Sequence, residues 1–248
     1  MIRNSFIFLK NIREQMEKNF WKAGIHTWSD FLDAKEVPGI SKQKKYYYDA
    51  QLEKAEKNLE VENMAYFAEQ IPSVHQWRLY NHFKDEMVYL DIETGHRNDN
   101  ITVVGLFDGI DTKIMVKGQN MQREILLDEL KKHKILVTFN GGSFDVPILQ
   151  KYFGFKLDMP HIDLRHVCAK IGLNGGLKEI EKQLGITRPE ELECLRGHNA
   201  VELWKMWCVT HEERFLDLLI KYNEEDILNL KPIADHAINE LWKRTRAF

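Results

Sequence analysis

Four carboxylates and one tyrosine carry the chemistry for which this sequence is equipped. The run Tyr89-Leu90-Asp91-Ile92-Glu93-Thr94-Gly95 sets Asp91 and Glu93 two residues apart in a β-rich stretch. Side chains alternate along a strand, so both acids share one face while Leu90 and Ile92 share the other. Like charges so placed repel, and a divalent cation relieves the repulsion. A strand end with a solvated acidic face would give the same string. The second run, Asn140-Gly141-Gly142-Ser143-Phe144-Asp145-Val146-Pro147, follows another β-rich stretch. Its glycines turn the chain and a helix is expected from about Asp145, which brings Asp145 to the same sheet end as Asp91 if the two strands are parallel. Asp145 also suits a plain helix cap, with Pro147 at home in the first turn. The third run, Tyr222-Asn223-Glu224-Glu225-Asp226, lies in a long helical segment. Four residues make about one turn, so Tyr222 and Asp226 share a face, with Glu224 and Glu225 expected in solvent. An acidic helix surface with a half-buried tyrosine is the alternative.

Together, four acids from two strand ends and one helix face can surround a pair of cations. Magnesium takes oxygen ligands in an octahedron and keeps water and phosphate in its shell, which suits carboxylates better than His or Cys. Two ions about 3.5–4 Å apart stabilise the attacking and leaving oxygens of an in-line phosphodiester displacement. Tyr222 is then placed to orient the attacking water.

The elements that must position these residues follow from periodicity. Residues 87–93, 101–107 and 113–117 read as consecutive strands, with Asp108-Gly109 as turn chemistry between the last two. A helix over 121–132, a strand over 135–139 and then helices over 177–184, 200–208 and 212–242 predict an α/β fold, a mixed sheet flanked by helices. Pro232 is expected to kink or interrupt the last helix. Residues 1–70 are helical in pattern, a small all-helical domain. The boundary falls near Ile71-Pro72-Ser73, with 71–85 as linker and 86–248 as the catalytic domain.

Composition narrows the setting. Cys168, Cys194 and Cys208 form no CxxC pair, which argues against a disulfide scaffold or a structural zinc site and for a reducing, cytoplasmic environment. His161, His166, His198 and His211 lack zinc-ligand spacing. No apolar run approaches the ~20 residues needed to cross a bilayer, and the early SFIFL is too short for a signal peptide. A net charge of −3 does not mark a nucleic-acid binder, so any such role must rest on local basic patches. Trp204, Trp207 and Trp242 are expected in helix interfaces.

The three acidic runs resemble the DEDD superfamily of 3′-to-5′ exonucleases, which share a ribonuclease-H-like fold and hold two metal ions with four acids. Asp91-Ile92-Glu93 matches the first motif, Asn140 to Asp145 the N-x-x-x-F-D motif, and Tyr222 to Asp226 the Y-x-x-x-D motif of the tyrosine branch. The histidine branch would want His where this chain has Lys221. Residues 86–240 are similar to the YprB-like group, including the stretches 176–186 and 200–204. The resemblance implies Asp91, Glu93, Asp145 and Asp226 as ligands of two Mg²⁺ or Mn²⁺ ions, and Tyr222 as the water-orienting residue. It also implies that Thr94, Asn140 and Phe144 line the path of the terminal nucleotide. The implied substrate is a single-stranded or frayed 3′ end, DNA favoured, in a DNA-repair setting with a helicase or polymerase as a possible partner. An endonuclease of the same fold and a non-catalytic binding module are the alternatives.

After Gly95 the sequence departs from the commonest first motif, with His96-Arg97-Asn98-Asp99-Asn100 as either phosphate contacts or an exposed loop. Asp163 is expected to approach the site without ligating. Near the N-terminus, a helix-turn-helix over 12–33 and the turn Val37-Pro38-Gly39-Ile40-Ser41 before a helix at Lys42 resemble a helix-hairpin-helix module. In that family backbone N–H groups grip a phosphate, and Lys42, Lys44 and Lys45 would strengthen the contact. Ser41 stands where the family usually has a second glycine, and a partner-docking module is the alternative. Tyr46, Tyr47 and Tyr48 are candidate stacking surfaces, at least one of them core.

Overall fold

A computed structural model describes residues 1–96 and 100–247. The chain opens with four helices, α1 (Glu14–Lys22), α2 (Trp28–Asp33), α3 (Lys42–Glu60) and α4 (Met64–Gln70). Local sequence sets their starts. Thr27 and Asp30 form a reciprocal capping box at α2, Ser41 accepts from the Lys44 N–H at α3, and Asn63 accepts from the Tyr66 N–H at α4. Ser41 therefore does the work of a helix cap where a phosphate-gripping hairpin would want a glycine.

The stretch 71–85, expected as a linker, is structured and partly buried. A 3₁₀ helix spans Ser73–His82 and buries Gln76, Trp77, Arg78, Leu79 and Tyr80. Arg78 donates to both oxygens of Glu17 at 2.7 Å and to Ser5 Oγ at 2.7 Å, and Glu17 also accepts from the Phe6 N–H at 2.6 Å. Trp77 and Trp21 both meet Trp242 edge-on, at 6.2 and 5.9 Å between ring centres. One continuous group of buried side chains runs from Ile2 to Leu241, so the helical region and the sheet share a core.

The sheet has five strands in the order β3-β2-β1-β4-β5. β1 (Met87–Thr94), β2 (Ile101–Phe107) and β3 (Thr112–Val116) form an antiparallel meander. After α5 (Arg123–Leu130), β4 (Ile135–Thr138) runs parallel to β1, with Tyr89 opposite Val137. α6 (Asp145–Phe153) follows, then β5 (His161–Asp163), parallel to β4. The parallel pairing is what carries the Asp145 turn to the Asp91 end of the sheet. Near-continuous apolar strands mean cover on both faces. Val88, Leu90 and Ile92 pack with Leu126, Leu130, Leu149 and Phe153 of α5 and α6. Met87 and Tyr89 face the opposite layer, so Asp91 and Glu93 do as well.

That layer is built from α7 (Leu164–Lys170), α8 (Leu177–Leu184), the short α9 (Glu190–Glu193), α10 (Gly197–Thr210) and α11 (Glu213–Arg246). The expected break at Pro232 does not occur, and α11 runs on to Arg246. A proline inside a helix costs about 3 kcal/mol. Burial of Leu230, Ile233, Ala234, Ala237 and Ile238 on either side of it offsets that cost. Glu224 and Glu225 are half-buried rather than in solvent. Thr112 Oγ1 donates to Glu224 and Asn229 Nδ2 to Glu225, which gives each acid a partner at the helix flank.

Candidate metal centre

Strand parity and one helical turn bring the acids together. Carboxylate oxygens of Asp91, Glu93 and Asp226 lie within 4.8 Å of one another. Asp91 is half-buried, while Glu93 and Asp226 are buried. Asp145, also buried, stands beside this trio at the start of α6, and its Oδ1 accepts the Ile92 N–H at 3.0 Å. Its charge is felt by Asp91 and Glu93, yet its oxygens are not within the 4.8 Å group. Burial first, and then mutual repulsion, holds the carboxyls of Asp91 and Glu93 well above the usual range. Burial pushes Asp145 up to about 7 and Asp226 up to about 6, the Ile92 N–H and Arg188 respectively pulling the other way. An all-oxygen donor set of converging, repelling carboxylates fits a hard divalent cation.

Tyr222 sits one turn before Asp226, buried, with Lys178 Nζ 4.9 Å from its ring centre. Burial raises the phenol's pKa, as do the charges of Asp226, Glu93 and Asp91 around it, so the hydroxyl stays protonated. Asn223 Nδ2 donates to Asp91 Oδ2 at 2.9 Å and fixes that carboxylate. Behind Asp226 stands Arg188, whose side chain is only 4% exposed. Its Nη2 lies 2.5 Å from Asp226 Oδ1, a close charge pair rather than an aligned hydrogen bond. Its Nε donates to Glu181 Oε2 at 2.6 Å and its Nη2 to Glu181 Oε1. Asn229 Nδ2 also donates to Glu181, at 3.1 Å, so α8, the segment after it and α11 meet at this guanidinium.

The RNase_H_2 family model, of the RNase_H superfamily, matches residues 88–238, more than half of the chain. The chain belongs to the RNase_H superfamily. No curated protein has a matching sequence. Among solved structures, the family B DNA polymerase from the hyperthermophilic archaeon Pyrobaculum calidifontis is similar, with a TM-score of 0.50, 13% identity, and coverage of 65% of this chain and 27% of the polymerase. Escherichia coli RNase D, an exoribonuclease involved in structured RNA processing, has a TM-score of 0.46 and 17% identity, with coverage of 71% of this chain and 48% of RNase D. The chain thus spans about a quarter of the polymerase and half of RNase D.

The other expected site residues divide. Thr94 is buried at the end of β1, past a bulge between Glu93 and Thr94. Asn140 takes a left-handed backbone, φ 65°, which asparagine tolerates, and its side chain accepts from Arg165 at 2.7 Å and Ser143 at 3.0 Å. Phe144 is half-buried and packs into the α5–α6 core. Asp163 accepts from the N–H groups of Asn140, Gly142 and Arg165, so it shapes the turn before Asp145 and caps α7. His161 meets Thr138 Oγ1 at 2.8 Å. His96 is exposed, and Arg97 lies outside the described residues. Lys42 and Lys44 are exposed on α3, but Lys45 is spent on Asp49 at 2.7 and 2.8 Å. Tyr48 is core, while Tyr46 and Tyr47 are exposed.

Sequence reasoning missed Arg188, Glu181 and the role of Asn223. Gly105, in the middle of an apolar strand, was the available signal, since such a glycine marks a close approach. A Cβ there would come within 2.1 Å of Asn223 Oδ1. Gly105→Ala is therefore expected to push Asn223 off Asp91 and to cost about 1–3 kcal/mol by overpacking. Urea unfolding, read beside Mn²⁺ calorimetry, checks both losses, and an unchanged protein would show that α11 can shift freely.

Proposed function

We propose that this protein is a divalent-metal-dependent nuclease that removes nucleotides from the 3′ end of a single-stranded or frayed nucleic acid. The supporting observation is the convergence of Asp91, Glu93 and Asp226, with Asp145 beside them and the Tyr222 hydroxyl among their charges. Bound divalent cations would lower the pKa of water and stabilise charge on the phosphodiester oxygens. Asp91, Glu93, Asp145 and Asp226 would hold them. Asn223 keeps the Asp91 carboxylate turned inward, and Arg188 does the same for Asp226. Tyr222, kept protonated, positions a water by hydrogen bonding and does not act as the base.

DNA and RNA oligonucleotides of matched sequence, labelled at either end, test the reading with Mg²⁺, Mn²⁺ or EDTA. A ladder shortening from the 3′ end, abolished by EDTA, is the expected result. Opening of a circular single strand would show an internal cutter of the same fold. Intact oligonucleotides under every metal condition would reject nuclease activity.

A further inference from the structure

Fourteen glycines occur in the chain, and a positive φ or a close neighbour accounts for all but two of them. Eight have a positive φ, and at Gly95, Gly105, Gly141 and Gly142 a Cβ would come within 3.2 Å of another atom. Gly176 and Gly197 have neither excuse. Gly176 is the N-cap of α8, at φ −80° and ψ 174°, where serine, asparagine or aspartate would serve as well as glycine or better. Gly197 is the first residue of α10, where a glycine weakens a helix relative to alanine. A Cβ at either would meet nothing within 4 Å. Both line one cleft of about 700 Å³, together with Tyr222, Asn140 and Arg165. Tyr222 joins the cleft to the carboxylates one helical turn away.

We propose that Gly176 and Gly197 keep this cleft bare so that the sugar-phosphate backbone of the substrate strand can lie against the protein on its way to the carboxylates, with Arg165 contacting a phosphate. This rests on the nuclease reading above. A glycine where neither backbone conformation nor a close neighbour calls for one leaves room for something the chain itself does not supply. Arg165 supplies the matching charge. It is exposed, it bonds the Asn140 side chain at 2.7 Å, and among the described residues it pairs with no carboxylate. A guanidinium so placed has donors left for a phosphate.

The test uses the full chain with Gly176→Ser, Gly197→Ala, Gly197→Leu and Arg165→Gln, and short single-stranded DNA and RNA as probes. Serine is a better helix cap than glycine and alanine a better helix residue, so melting temperatures should hold or rise for those two variants. Mn²⁺ affinity, read by calorimetry, should not change. KM for degradation, and Kd by anisotropy in EDTA, should rise about tenfold for Gly197→Ala and toward about a hundredfold for Gly197→Leu. Arg165→Gln should weaken binding of every sequence alike and reduce the salt dependence by about one counterion. Glycine variants that bind and degrade like the wild type would overturn the cleft assignment and leave the nuclease reading standing. Loss of stability or of Mn²⁺ binding sufficient to explain the weaker binding would make the glycines structural and overturn it too. A wild-type protein that neither binds nor degrades any probe would overturn the nuclease reading and this proposal with it.

Discussion

Asp91→Asn is expected to lower metal-dependent degradation on the order of 10³-fold while raising the melting temperature of the metal-free protein. The opposite signs share one cause. Asp91 sits among Asp145, Asp226 and Glu93, whose charges, after burial, hold its carboxyl well above the usual range. Neutralising it relieves that repulsion at little cost in packing, because the substituted amide's oxygen can still accept from Asn223 Nδ2. A gain of about 1 kcal/mol would appear as ~2–4 °C in Tm for a chain of this size. The same change removes a charged oxygen ligand from the trio. Thermal melts in EDTA, with degradation assays in Mn²⁺, test both halves. Undiminished degradation would remove Asp91 from the site, and a lower Tm in EDTA would show that its charge is not a liability to the fold.

The pH dependence of the metal-free protein follows from the same group. Asp145 and Asp226 are raised to about 7 and about 6, against an unfolded value of 3.8. Between those limits the folded chain binds more protons than the unfolded one, so its stability falls as pH rises. The contribution is full below about pH 4 and is lost as pH passes through 6 and 7. Burial holds His75 and His161 down to about 4, which works the other way below pH 6.5, so the decline in melting temperature in EDTA should show from pH 6.5 to pH 8. Saturating Mn²⁺, which takes the place of the protons, should raise Tm most at pH 8.

How far the site could be read from sequence depended on whether its parts share a period. Asp91 with Glu93, and Tyr222 with Asp226, are paired by the two-residue repeat of a strand and the turn of a helix, and the structure brings them together. Asp145 reached the site's edge because β4 runs parallel to β1. By contrast, the link from Arg188 to Asp226 joins a loop to a helix across sequence with no repeat in common. β5 has three residues, too few for an alternation to show. The 3₁₀ turn at Ser73–His82 follows a three-residue period that neither helix nor strand patterning detects. At Pro232 the local cost was visible in the sequence, whereas the flanking burial that carries α11 through it without interruption was not.

Arg188→Met is expected to destabilise the metal-free protein at pH 8 by about 3–5 kcal/mol, the cost of leaving buried charge without its partner. The guanidinium bonds both Glu181 oxygens and lies against Asp226, with the Glu181 side chain only 2% exposed. Methionine matches much of the volume, so the loss is electrostatic rather than a cavity. Two recoveries separate this from a general packing defect. Arg188 holds the Asp226 pKa down against burial, so without it that carboxyl protonates more readily, and much of the lost stability should return at pH 5. Mn²⁺ supplies positive charge to the same carboxylate, so saturating metal should narrow the gap at pH 8. Urea unfolding at both pH values, with EDTA or Mn²⁺, resolves the cases. A loss that ignores both pH and metal would reduce Arg188 to packing, and no loss at all would mean that Glu181 and Asp226 do not depend on its charge.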